Sequence, residues 1–107
     1  MNSKLKFKLN FSDFFKSQFK KTTGKKREQI LMKLREVLES PVRFKSLSGY
    51  RHLFEVKVDF ENKFSRLIYA MYIPKKNEIR IFGIFDRGRD FKDFFKKFKN
   101  EVKKIKK

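Results

Sequence analysis

The sequence predicts one α+β domain, with strands and helices in the order β-α-α-β-β-β-α. An antiparallel meander forms from the last three strands, and an N-terminal αα-hairpin packs on the sheet. Three observations predict it. Apolar and polar residues alternate at period two near residues 4–10 and 54–60, and apolar runs of strand length cover 64–73 and 78–85. Apolar residues recur at helical spacing over 11–19, 25–39 and 91–105. At 107 residues the chain is one domain, residues 1–107, with no linker rich in Pro, Gly or Ser and no internal repeat.

The first strand is read from Lys4, Leu5, Lys6, Phe7, Lys8 and Leu9, which put Lys on one face and apolar groups on the other. Ser12 is placed to cap a short helix carrying Phe11, Phe14, Phe15 and Phe19, and Gly24 is placed to end it or turn the chain. A second helix, from about Lys25 to Glu39, carries an apolar stripe of Ile30, Leu31, Leu34, Val37 and Leu38. Ser40-Pro41 stops it, because the residue before proline disfavours helix. Residues 41–52 are irregular and basic, with Arg43, Lys45, Gly49 and Arg51.

Phe54, Val56, Val58 and Phe60 then alternate with Glu55, Lys57 and Asp59. Turns at Glu61-Asn62-Lys63 and at Pro74-Lys75-Lys76-Asn77 separate the next two strands, and turns this short imply antiparallel neighbours. Because the strands at 67–73 and 79–85 are apolar on both faces, they are expected to be central and covered on both sides. Tyr69 and Tyr72 fall on opposite faces, so at least one is expected in the core. Asp90 and Asp93 form a capping-box pattern before a last helix. Phe91, Phe94, Phe95, Phe98, Val102 and Ile105 line one side of that helix, and Lys92, Lys96, Lys97, Lys99, Lys103 and Lys104 line the other.

Thirty Lys and Arg against twelve Asp and Glu give a formal charge of +18. Charge of this density selects polyanionic partners, with nucleic acid first, an anionic membrane surface second and an acidic protein third. With no Cys, disulfides, thiol nucleophiles and Cys-ligated metals are excluded. The single His, His52, rules out a two-His mechanism. No Gly-rich phosphate loop, no HExxH and no carboxylate cluster at metal spacing is present, so neither metal nor cofactor is expected. No apolar run reaches transmembrane length, and the N-terminus lacks the apolar core of a signal peptide. An intracellular, cytoplasmic protein is expected.

Any chemistry must therefore use Lys, Arg, Glu, Asp or Tyr. Cleavage of RNA fits that set, because it needs in-line geometry for the 2′-hydroxyl and positive charge around the phosphorane-like transition state. The candidates are Glu55 and Lys57 on one strand face, Arg66 opening the next strand, and Arg87 and Arg89 after the last strand. A meander brings these onto neighbouring strands, where they are expected to converge on one basic cleft. Each also has a plainer reading. Glu55 and Lys57 suit a solvated sheet face, Arg66 an ion pair to Asp59 or Glu61, Asp86 and Arg87 a turn, and His52 a loop. The expected RNA-binding residues are Arg51, Arg89, Lys96 and Lys97.

From SLSGYRHLFEVKVDF (46–60) through SRLIYA (65–70) to IFGIFDRGRDF (81–91), the chain resembles the RelE/ParE superfamily of type II toxins. LFEVKV and SRLIYA are most similar to its HigB-type branch. The resemblance implies a metal-independent endoribonuclease that cleaves messenger RNA on the ribosome and is neutralised by an acidic antitoxin. It implies catalytic positions at Arg66 and Arg87, with Glu55 and Lys57 at the charged second-strand positions. Two departures stand out. Asp86-Arg87 replaces a His-Arg or Lys-Lys pair, and Phe91, Phe94 and Phe95 occupy the region of a C-terminal Tyr. A non-catalytic inhibitor of DNA gyrase, as in the ParE branch, is the alternative, followed by a general basic RNA-binding protein.

Overall fold

The structure is a computed structural model that describes residues 7–40, 43–59, 65–86 and 90–106. A short strand, β1 (Lys8–Phe11), leads into two helices, α1 (Asp13–Lys21) and α2 (Gly24–Glu39). A two-residue strand, β2 (Lys45–Ser46), precedes the meander of β3 (Leu53–Asp59), β4 (Ser65–Ile73) and β5 (Glu78–Asp86). Two short helices follow, α3 (Asp90–Lys97) and α4 (Lys99–Lys103). The sheet runs β1-β5-β4-β3-β2, with β1 parallel to β5 and the other pairs antiparallel.

Local chemistry places most boundaries as expected. The Ser12 hydroxyl accepts a hydrogen bond from the Phe15 amide at 3.0 Å, so α1 is capped. Gly24 turns the chain with φ +60, a region open to Gly without strain. Between β4 and β5 a 3₁₀ turn over Pro74–Lys76 ends on Asn77 at φ 55. The Glu61-Asn62-Lys63 turn, Pro41 and the Lys4–Lys6 part of the first strand lie outside the described residues.

Two apolar cores lie on the two faces of the sheet, and this explains why β4 and β5 are apolar throughout. On one face Phe15, Ile30, Leu34 and Val37 of the hairpin pack on Phe54, Val56, Val58, Ile68, Ala70, Ile79 and Ile81. On the other, Phe94 and Val102 pack on Leu53, Leu67, Tyr69, Phe82 and Phe85. Tyr69 is fully buried, with its ring stacked on Phe94 at 4.4 Å. α1 serves both faces, because Phe15 enters the first core and Phe14 packs against the second. Its close approach requires Gly83, where a Cβ would lie 2.6 Å from the Phe14 ring.

β1 stops beside Ile81, and one side chain continues its hydrogen bonding. The Gln18 amide accepts from Ile84 N at 2.8 Å and donates to Ile84 O at 2.7 Å. At the other end of β5, the Arg80 guanidinium holds both carboxylate oxygens of Glu101, at 3.1 and 3.3 Å, and Asn10 at 2.8 Å. This cluster ties α4 to the sheet, and Arg51 N donates to Ile105 O at 2.7 Å just beyond it.

Some expectations are corrected. Phe11 ends β1 rather than joining α1, which begins at Asp13. Leu31 is 47% exposed, so the apolar stripe of α2 is narrower than its sequence suggests. The last helix is broken at Phe98, whose backbone (φ -114, ψ 28) leaves helical geometry. It opens at Asp90, whose expected capping side chain lies outside the described ones. β2 had no periodic signal to reveal it, since two residues show no alternation. The sheet face opposite the hairpin is covered over β4 and β5 by α3 and α4, which accounts for the apolar runs on both faces of those strands, and it remains open beside β3 and β2.

Candidate functional site

One end of the sheet gathers the carboxyl ends of β3 and β5 and the amino end of β4. Lys57, Asp59, Arg66 and Asp86 all lie there, within two residue pairs of the last one, Asp59↔Ser65. The register decides which face each side chain takes, because directly opposed residues share a face. Arg66 opposes Val58 and Asp86, and Val58 belongs to the hairpin-side core, so Arg66 faces the hairpin. Glu55 opposes Tyr69 and Lys57 opposes Leu67, both on the far face.

The single cleft expected from sequence is therefore two clefts, on opposite faces of one sheet end. The hairpin-side cleft, of about 220 Å³, is lined by Gln18, Thr22, Lys26, Ile30, Arg66, Ile84 and Asp86. Arg66 Nε lies 3.1 Å from Asp86 Oδ1, with the Asp86 side chain 72% exposed. This pairing places a carboxylate against the guanidinium. The far cleft, of about 320 Å³, is lined by Arg43, Phe44, Lys45, Glu55, Lys57 and Leu67. Here the Glu55 side chain is only 15% exposed, with Lys45 Nζ 3.7 Å from its carboxylate. Lys57 Nζ lies 3.8 Å from Asp59 Oδ1.

Arg87 and Arg89 lie outside the described residues. Lys96 and Lys97 are exposed on α3, and Lys97 sits over the Phe14 ring at 4.3 Å from its centroid. Arg51 is exposed at the opposite end of β3, away from the other candidates. His52 lies there too, in the left-handed region at φ 59. Gln18, Lys26, Arg43 and Lys45 were missed as site residues. Gln18 carries no signal in a run of Lys and Phe, while Arg43 and Lys45 stand out only as part of a basic loop. Among the described residues, no three His, Asp or Glu are gathered as a metal ion requires. Among the same residues, no helix is long and apolar enough to cross a membrane.

Both clefts are shallow, charged and set at a strand end, an arrangement suited to an extended anionic chain laid over the rim. The fold carrying them is that of the RelE toxins. A doubly Arg-to-Ala-substituted Escherichia coli toxin RelE in the free state superposes with a TM-score of 0.73 at 20% identity, covering 92% of this chain and 99% of that one. The toxin chain of the intact E. coli RelBE toxin–antitoxin complex gives 0.66 at 24% identity, covering 78% and 99%. The archaeal RelE–RelB complex from Pyrococcus horikoshii gives 0.60 at 14% identity, covering 79% and 99%. No family model and no curated protein matches the chain by sequence.

Proposed function

We propose that this chain is the toxin of a type II toxin–antitoxin pair, an endoribonuclease that cuts messenger RNA on the ribosome in the cytoplasm. The observation that carries the reading is Arg66, held at a charged sheet end in a fold shared with E. coli RelE over 92% of the chain. LFEVKV and SRLIYA favour the HigB-type branch within that fold.

In this reading the reaction takes place at the Arg66 cleft. A base takes the proton of the ribose 2′-hydroxyl, and the freed oxygen attacks the adjacent phosphorus. The 5′-oxygen leaves and takes up a proton, giving a 2′,3′-cyclic phosphate and a 5′-hydroxyl. Arg66 and Arg87 hold and neutralise the scissile phosphate, supplying fixed positive charge where negative charge builds up. Glu55 and Lys57 open on the far cleft, across the sheet from Arg66, so in this scheme they contact the strand passing over the rim, and the base expected at Glu55 does not stand against the phosphate that Arg66 holds. Arg89, Arg51, Lys96 and Lys97 contact the RNA backbone. Neither metal nor cofactor takes part in this scheme. An acidic antitoxin neutralises the +18 surface when the toxin is held in reserve.

One observation favours the non-catalytic, gyrase-inhibiting alternative. Asp86 already occupies the Arg66 guanidinium, where a substrate phosphate has to bind. Induced expression, with growth and message integrity followed together, separates the two. Growth arrest with cleaved messages supports the ribonuclease. Arrest with intact messages and blocked replication selects the gyrase inhibitor.

A further inference from the structure

A further groove lies at the other end of the sheet, between the carboxyl end of β4 and α4. It encloses about 570 Å³. Met71 and Ile73 give it apolar walls, Tyr72 lies at its margin with its ring packed on the hairpin-side core, and Arg51, His52 and Lys104 are its exposed polar lining. Its one carboxylate, Glu101, is already held through both oxygens by Arg80, which leaves Arg51 and Lys104 as the exposed cations of the groove.

His52 is the unusual residue here. Its backbone sits at φ 59, which costs a β-carbon-bearing residue free energy that Gly would not lose. The strain is sustained by fixed neighbours: Tyr72 N donates to His52 O at 2.9 Å, and Arg51 N donates to Ile105 O. The result is an exposed imidazole set edge-on to Tyr72, at 5.6 Å between ring centroids. A strained residue that presents a ring between cations, in a groove with apolar walls, suits a planar base whose phosphates lie at the rim.

We propose that this groove is a second subsite for single-stranded RNA, taking one unstacked base and its flanking phosphates away from the scissile bond. The proposal rests on the ribonucleic-acid reading above and extends it. Four residues of strand separate Lys57 from Leu53, about 13 Å at the rise of a β-strand, and Arg51 lies two residues beyond. A stacked strand covers the strand part in about four nucleotides, and an extended one in fewer. The path between the two runs along the β2 edge, past Arg43 and Lys45.

The test uses the whole chain and fluorescein-labelled, fully 2′-O-methylated single-stranded oligoribonucleotides of three and ten residues, which bind without being cut. The decamer is expected to bind about tenfold tighter than the trimer, as one stacked base and two phosphates allow. Arg51→Ala/Lys104→Ala should remove most of that gain and lower the salt slope of decamer binding by about 1.4. The charge-matched control Lys20→Ala/Lys33→Ala should retain the gain. With 2-aminopurine moved stepwise along the decamer, one position should be quenched, and His52→Gly should abolish that quenching. The proposal is overturned if the two double variants lose affinity equally, if no position is quenched, or if RNA binding is untouched while antitoxin binding weakens. Intact messages in expressing cells, with these oligonucleotide results as expected, would sink the ribonuclease reading and leave the subsite standing.

Discussion

Truncating Phe94 tests whether α3 is part of the folded domain or a detachable arm. The ring is fully buried. It stacks on Tyr69 at 4.4 Å with an interplanar angle of 6°, and meets Phe82 at 5.1 Å, Phe85 at 5.7 Å and Phe98 at 5.8 Å. Phe94→Ala removes a whole aromatic ring from this site, where neighbouring rings can collapse only in part. A fully buried Phe replaced by Ala costs about 3–5 kcal/mol. A small domain holds only about 5–15 kcal/mol in all, so the variant retains a fraction of its stability. At about 4–8 °C per kcal/mol for a domain of this size, the melting temperature should fall by about 15–30 °C. Urea titration and thermal melts followed by circular dichroism measure both quantities, and hydrogen exchange on the parent protein should show protected amides within α3. A loss below about 1 kcal/mol, the size of an ordinary surface substitution, would refute the reasoning. It would mean that Tyr69 and Phe82 reach the same stability without the helix above them.

Further outcomes follow from the site and the packing. Arg66→Ala should abolish growth arrest and message cleavage in expressing cells while leaving the melting curve near that of the parent, and full toxicity with an unchanged curve would rule the residue out of the site. Asp86→Asn should release Arg66 and raise affinity for short RNA by up to about fivefold, the scale of one exposed ion pair, so unchanged or weaker binding in a filter assay would show that Asp86 does not compete with phosphate. Gly83→Ala should destabilise by about 1–3 kcal/mol, since its methyl meets the Phe14 ring at 2.6 and 2.8 Å and that ring is hemmed in by Phe85, Phe98 and Lys97; a neutral result by urea titration would show that α1 can lift from the sheet. Replacing Lys96, Lys97, Lys99 and Lys103 with Gln should flatten the salt dependence of RNA binding with little change in melting temperature, and an unchanged slope would place the contact elsewhere.

Much of the fold could be read from the residues, because it rests on repeating patterns. The alternation at Phe54, Val56 and Val58, the helical spacing of Ile30, Leu34 and Val37, and the Ser12 cap each reflect one local rule that the tertiary structure obeys. The aromatic row of the last helix was legible for the same reason, although its break at Phe98 was not. What stayed hidden depends on register. Whether Arg66 shares a face with Lys57 turns on which residue of β3 it opposes, and composition does not carry that. The pairing with Val58 sends Arg66 to the hairpin side and divides the expected cleft. The Arg80–Glu101 clasp joins residues far apart in the chain, with no periodicity to announce it. The same holds for Gln18, an unremarkable polar residue on α1 until β5 is placed beside it.

Gln18 has a consequence for how this protein behaves in solution. A bare stretch of β5 beyond β1 would offer its amides to any other chain, and exposed edges of that kind recruit further strands. A full extra strand would silence the edge but would also wall off the Arg66 end of the sheet. One amide, bonded to both Ile84 N and Ile84 O, occupies the recruiting groups and leaves the cleft open. Guarding against self-association and keeping the cleft accessible are thus the work of the same side chain. Selection on either property therefore acts on the other at this position, and loss of Gln18 should appear first as clumping that grows with protein concentration.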